Sequence, residues 1–157
     1  MAEFITQIPG YEIGVHRISA TDEVSASYMV AQMATVLSQK WNTNVLCVSL
    51  DGQKEAIESL IPPGHSFGRV HVLEQKNPEF EVVRRKAEGI INRRFVRALI
   101  ISGAERLTAK FFRDRPNKGQ EWIANCLEGL SGGMHIPIIL VSLGEEEIDR
   151  DSTRNQH

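Results

Sequence analysis

The sequence predicts an α/β fold: three layers, α/β/α, around an open, mostly parallel five-stranded sheet. Three observations carry this. Apolar runs and helix-like stretches alternate along the chain. Three of the runs, Val45 to Leu50, Val96 to Ile101 and Ile136 to Ser142, are nearly continuous, as in strands covered on both faces. The stretches between them repeat apolar residues at helical spacing.

Each element follows from its own residues. Tyr11 to Ser19, with Ile13, Val15 and Ile18 apolar, reads as the first strand. Thr21-Asp22-Glu23 offers side chains that cap free amides, so a helix runs from about Val24 to Lys40. Its stripe is Val30, Met33, Ala34, Leu37 and Trp41. Val45 to Leu50 is the second strand. A short helix, Gln53 to Leu60, ends at Pro62-Pro63-Gly64, and Arg69 to Leu73 is a short third strand. Asn77-Pro78-Glu79 opens a helix with proline in its first turn. Its stripe is Phe80, Val83, Ala87, Ile90 and Ile91. Val96 to Ile101 is the fourth strand. Ala104 to Leu130 reads as helical with a break near Pro116, Ser131-Gly132-Gly133 stops it, and Ile136 to Ser142 is the last strand. From Glu145 onward the chain is polar and expected to fray.

The 157 residues suit one domain, 1–146, with a polar tail, 147–157, expected to be disordered. Hydrophobic residues at 41% and charged residues at 24% allow a packed core and argue against wholesale disorder. No apolar run approaches the roughly 18 residues of a membrane span. Met1-Ala2-Glu3-Phe4 does not open a secretory leader. A cytoplasmic protein without membrane insertion is therefore expected. Cys47 and Cys126 lack metal or redox spacing and read as reduced core thiols. His16, His65, His71 and His135 are scattered without ligand spacing, so no metal and no cofactor are expected. Ser131 lacks the elbow sequence of an esterase.

The net charge of −2 hides an asymmetry. Arg84 to Lys118 holds 11 basic and 3 acidic residues, a balance of +8, which leaves −10 for the rest. Such a split suits a polyanion or an acidic partner surface. The plainer reading is a solvated, arginine-rich helix face. Candidate contacts are Arg84, Arg85, Arg93, Arg94, Arg97, Arg113 and Arg115. Phe111-Phe112 beside these cations would stack on bases or anchor a helix to the core.

Ligands of open parallel sheets bind at the carboxyl ends of strands. A phosphate-binding loop after the first strand would read G-x-x-x-x-G-K-[ST]. Aligning Ala20 with the first glycine puts Ser25 on the second, Ala26 on the lysine and Ser27 on the hydroxyl residue. Only Ser27 matches, and by itself it reads as an exposed first-turn helix residue. Asp22 and Glu23 would face phosphates with like charge. At about 4 Å and a dielectric of about 20, each such pair costs roughly 4 kcal/mol. The fourth strand leads into Ser102 and Gly103, where an Mg²⁺-holding aspartate and a catalytic glutamate would stand. A hydroxyl and a hydrogen do not replace carboxylates on a hard cation. Glu105 follows within reach of a cleft, although with Arg106 it reads as an exposed ion pair.

The pattern resembles the P-loop NTPases of the AAA+ or RecA-like division, and is similar to the transposon target-selection ATPases. Three stretches carry the resemblance: Gly14 to Leu37, Ala98 to Leu107, and Gly133 to Ser142. It spans about Glu12 to Gly144 and implies a nucleotide-hydrolase core without a helical lid domain. It also implies that Ser142 stands where that family has a polar sensor residue. The degenerate site positions are then Ala20, Ser25, Ala26, Ser27, Ser102, Gly103, Glu105 and Ser142. The departures at Ala26, Ser102 and Gly103 stand against both binding and hydrolysis.

Three functions compete. One is a non-catalytic pseudo-ATPase that binds a protein as a regulatory or assembly module; its partner would be a full-length ATPase, a membrane-associated complex or a second copy of itself. The second is a nucleic-acid-binding accessory factor of a mobile element or repair system, working through the basic segment. The third is an atypical nucleotide sensor built on Ser27, Ser102, Glu105 and Ser142.

Overall fold

The computed structural model describes residues 12–62 and 69–144. The elements in chain order are β1 Gly14–Ala20, α1 Glu23–Lys40, β2 Asn44–Ser49, α2 Lys54–Leu60, β3 Val70–Glu74, α3 Phe80–Arg94, β4 Val96–Ser102, α4 Pro116–Met134 and β5 Pro137–Leu143. Two 3-10 turns, Ala104–Arg106 and Lys110–Phe112, join β4 to α4. The expected strand start at Tyr11, His65, the Pro63-Gly64 turn and the 147–157 tail lie outside the described residues.

The five strands form one sheet in the order β1-β5-β4-β2-β3, and every pairing is parallel. The chain moves outward from β1 to β2 to β3 and then turns back to β4 and β5. Right-handed crossovers therefore place α1 and α2 on one face and α3 and α4 on the other.

The side chains agree with this. Val45, Cys47, Ala98, Ile100, Ile139 and Val141 pack with Val30, Met33, Leu37 and Ile57 on the first face. Leu46, Val48, Leu99, Ile101, Ile138 and Leu140 pack with Phe80, Val83, Ile123 and Leu127 on the second. Alternate residues of each strand thus enter opposite cores, which is why these strands are apolar throughout. Phe80 of α3 meets Trp122 of α4 edge-on, with ring centroids 5.5 Å apart.

Several expected boundaries move. Ile13 lies outside β1 and is exposed. Trp41 is not in the α1 stripe: it is the C-cap, half exposed. The stretch from Ala104 is not α-helical until Pro116, which takes the first helical turn where its missing N–H is harmless. Ser131-Gly132-Gly133 does not stop α4, which continues to Met134 and ends at His135 in the left-handed conformation. Ser131 is buried and structural: its hydroxyl donates to the Ile136 carbonyl at 2.5 Å and accepts from the Gly14 amide at 2.8 Å. That bond joins the end of α4 to the starts of β1 and β5.

Candidate functional site

β2 feeds α2 on one face and β4 feeds α4 on the other, so the carboxyl ends of these neighbouring strands form the crevice where such sheets place ligands. Ser49 and Ser102 close the two strands opposite each other in register. Both are fully buried. Asp51 leaves β2 and turns back over them. Its Oδ1 accepts from Ser49 Oγ at 2.8 Å, and its Oδ2 accepts from Ser102 Oγ at 3.2 Å. Ser49 Oγ accepts in turn from the Gln53 amide at 2.8 Å. Gln53 Oε1 accepts from Ser27 Oγ at 3.0 Å, and its Nε2 donates to the Asp51 carbonyl at 3.3 Å and to Glu23 Oε1 at 3.4 Å. A continuous chain of hydrogen bonds, part side-chain and part main-chain at Gln53 and Asp51, therefore runs from α1 across β2 to β4.

Gly103 permits the approach of Asp51. Its φ is +78°, and a Cβ there would sit 3.0 Å from Asp51 Cβ and Cγ. A glycine meets both demands because it has no Cβ.

The amino end of α1 is closed by its own residues. Only Thr21 and Asp22 separate β1 from α1. Asp22 Oδ1 accepts from the Ser25 amide at 2.7 Å, so a carboxylate of this chain occupies the place an anion would take at the helix end. The amide hydrogen bond of Ser25 holds the Asp22 carboxyl below its ordinary pKa.

The expected site positions are partly gathered. Ser27 and Ser102 join the network, and Gly103 flanks it. Ser27 is buried rather than exposed, because α1 turns it under Gln53. Ala20 ends β1 and Ala26 faces the α1 core, both buried. Ser142 of β5 pairs with Ser19 of β1 and makes no hydrogen bond with the Asp51 cluster among the described residues. Glu105 forms no ion pair with Arg106 among the described residues; its Oε1 accepts from the Leu143 amide at 3.2 Å. Asp51, Ser49 and Gln53 were missed. Gln53 stands at a helix start and Asp51 after an apolar run, the ordinary signals of a turn.

Chemically the cluster holds one carboxylate rigidly between two hydroxyls. No histidine or cysteine joins it among the described residues, and the group that accepts from both serines is the Asp51 carboxylate. No group of three or more His, Cys, Asp or Glu side chains is placed to hold a metal among the described residues.

The basic segment does not form one stripe. Arg84 is engaged by Glu81 at 2.5 Å and Glu88 at 3.0 Å, which raises its pKa. Arg85 is exposed on α3. Arg93, Arg94 and Arg97 lie at the amino end of β4, whereas Arg113 and Arg115 follow its carboxyl end, a strand length of roughly 20 Å away. Arg115 stacks over Phe112, 5.8 Å from the ring centre, and Phe112 packs on Trp122. Phe111 is exposed.

Among the described residues no helix is long and apolar enough to cross a membrane. No family model matches the chain, and no curated protein matches it. Solved structures do. A KaiC-like protein from the hyperthermophilic archaeon Pyrococcus horikoshii superposes with a TM-score of 0.64 at 11% identity. The match covers 85% of this chain and 62% of that one. At this identity the likeness shows the fold alone, and that fold is the P-loop NTPase-like α/β architecture of a parallel five-stranded sheet.

Proposed function

We propose that this domain is a non-hydrolysing form of the P-loop NTPase-like fold that acts by binding a protein partner, as a regulatory or assembly module. One observation carries the reading: the anion position at the start of α1 is filled by Asp22 of the same chain, two residues after β1. Three features support it. Ala26, where the phosphate-binding lysine would stand, is buried against the core. The strand-end crevice presents Asp22, Glu23 and Asp51, which repel a triphosphate. The serines at the crevice are already spent on Asp51 and Gln53.

The surface beside the closed helix end fits a protein. A cleft of about 500 Å³ lies between the end of β1 and α1, lined by Ala20, Val24, Tyr28 and Met29 together with Ser19, Thr21 and Ser25. Val24, in the first turn of α1, is 78% exposed beside it.

Turnover of ATP and GTP with Mg²⁺, together with melting curves at millimolar nucleotide, tests the reading. No turnover and no rise in Tm are expected, because a ligand that binds only the folded state must raise Tm. Multiple turnovers that disappear in Ser27→Ala would overturn it. Ala26→Lys is not expected to restore activity, since the lysine would start from a buried position.

A further inference from the structure

β1 is an edge of the sheet: β5 pairs with it on one side, and no strand lies beyond it among the described residues. Its own ladder defines the open side. The Gly144 amide donates to the Ala20 carbonyl at 3.0 Å, so Ala20 turns its main-chain groups toward β5. These groups alternate along a strand. Ile18 and His16 therefore face β5 as well, and Val15, Arg17 and Ser19 turn their N–H and C=O outward. Arg17 and Ser19 are also exposed.

Edges of this kind are ordinarily protected by shortness, proline, a bulge or charge. β1 has seven residues, no proline and an unbroken register with β5. The opposite edge, β3, has five. Arg17 is the one lysine or arginine in β1. A long edge with so little protection is a template for another strand.

Two further features lie along it. The cleft of about 500 Å³ beside α1 abuts the carboxyl end of β1, flanked by the exposed side chains of Val24 and Tyr28. Charge also runs along the edge in one direction: His16 and Arg17 stand in the middle of β1, and Asp22 and Glu23 follow it. An antiparallel copy of the same segment sets each basic middle toward the acidic end of the other. A parallel copy would set like beside like.

We propose that β1 pairs with β1 of a second copy of this chain, antiparallel and about a two-fold axis at Ile18, joining the two five-stranded sheets edge to edge. The residues choose the centre. An axis at Arg17 would oppose two guanidiniums directly, which is unfavourable. An axis at Ile18 sets Arg17 against Ser19 of the second copy, and each such pair exchanges two main-chain hydrogen bonds. The two Ile18 side chains then meet on the face that carries α1, where Ile18 already packs with Met29 against the core. Val24 and Tyr28 flank that seam. A two-fold pairing uses both β1 edges, so it closes at two copies. The inference rests on the reading of this surface as one that docks a protein, and it names the occupant.

Sedimentation equilibrium of the full chain should show a monomer–dimer equilibrium at micromolar concentration. Arg17→Pro should weaken it about tenfold or more, because the ring removes an outward N–H and blocks the incoming strand while sparing the ladder to β5. Arg17→Ala should still dimerise. Val24→Asp, at an exposed position, should weaken the dimer and leave the chain folded. Ile18→Cys, with Cys126→Ser to remove the half-buried thiol, should form an intermolecular disulfide on mild oxidation. Directly opposed residues of a non-hydrogen-bonded pair lie about 4.5 Å apart at Cα, within disulfide reach. If Arg17→Pro does not fold, Val24→Asp and the Ile18→Cys cross-link decide. A monomer at the highest soluble concentration, growth beyond two copies, an equal loss in Arg17→Ala and Arg17→Pro, or a dimer that does not cross-link at Ile18→Cys would each overturn the proposal. A monomer without nucleotide turnover sinks the pairing and leaves the non-hydrolysing reading standing. Turnover by a dimer that cross-links does the reverse.

Discussion

At the carboxyl ends of the strands the polar side chains answer one another, with Ser49 and Ser102 on Asp51 and Ser27 on Gln53; at the amino ends Phe95 and Arg97 are exposed, and Thr43 Oγ1 has no hydrogen-bond partner among the described residues. The first end is acidic where it meets α1 and β2, and the second is lined by cations and aromatics. A fold of this kind ordinarily works at its carboxyl ends. Here that end is closed from within by hydrogen bonds between its own side chains, while the left-handed Phe95 and the bulge at Arg97 stand at the other. The usual ligand end of a fold is thus no guarantee that its side chains there stay open.

The strongest way to break the comparison is to return an acid to the closed end. Ser102→Asp buries a second carboxylate against Asp51, at a repulsion of roughly 4 kcal/mol for a spacing of about 4 Å and a dielectric of about 20. Chemical denaturation at pH 7 should show a loss of that order, and the loss should shrink on acidification, when one of the two carboxyls protonates. A variant as stable as the native chain at pH 7 would mean that the end is not closed. Gly103→Ala comes next. It asks alanine to adopt φ +78° and to sit 3.0 Å from Asp51, and a loss of about 2 kcal/mol is expected from the same denaturation experiment.

Alkali probes the layer between the ends. Burial pushes the Cys47 thiol, on β2, up to about 12 from an ordinary value of 9.0. Between these values the thiol ionises in the unfolded chain and not in the folded one, so stability falls as pH rises. A loss of about 1 kcal/mol by pH 10 is expected, and Cys47→Ala should flatten that slope. A thiol reagent at pH 8 should spare Cys47 in the folded protein. Cys126, half-buried on α4 and also raised chiefly by burial, should react slowly.

Two smaller effects sharpen the contrast. Phe95→Gly should leave stability unchanged or raise it by up to about 1 kcal/mol, because relief of the left-handed strain is set against the extra freedom of glycine in the unfolded chain. Charge reversal at Arg85 and Arg93 together should change stability by no more than about 0.5 kcal/mol, since both are exposed and unpaired among the described residues. Arg84→Ala should cost more than either, through its bonds to Glu81 and Glu88. Equal effects at all three arginines would show that the crossed ion pairs of Arg84 are inert.

The fold was largely legible in the residues. Continuous apolar runs marked β2, β4 and β5 because those strands are buried on both faces, and periodic stripes marked α1 and α3 because each helix buries one. Boundaries were less legible where tertiary partners override local preference. Ser131-Gly132-Gly133 reads as a helix stop, yet the Ser131 hydroxyl bridges to Gly14 and Ile136 and the helix runs on to His135. Trp41 fits the α1 stripe by spacing, but the chain turns at that point and its ring stays outside.

By itself the sequence determined the alternation of strands and helices, the parallel sheet, and the absence of lysine and acids at Ala26, Ser102 and Gly103, because hydrophobic period and residue identity are local properties. Only the tertiary structure decided the strand order, the meeting of Asp51 with Ser102, 51 residues further along the chain, and the scattering of the basic segment over both ends of β4. It alone also showed the bulge at Arg97 and the left-handed Phe95. The physical reason is that register, crossover and backbone strain are set by which elements pack together, and pairings across a sheet leave no periodic mark in the chain that makes them.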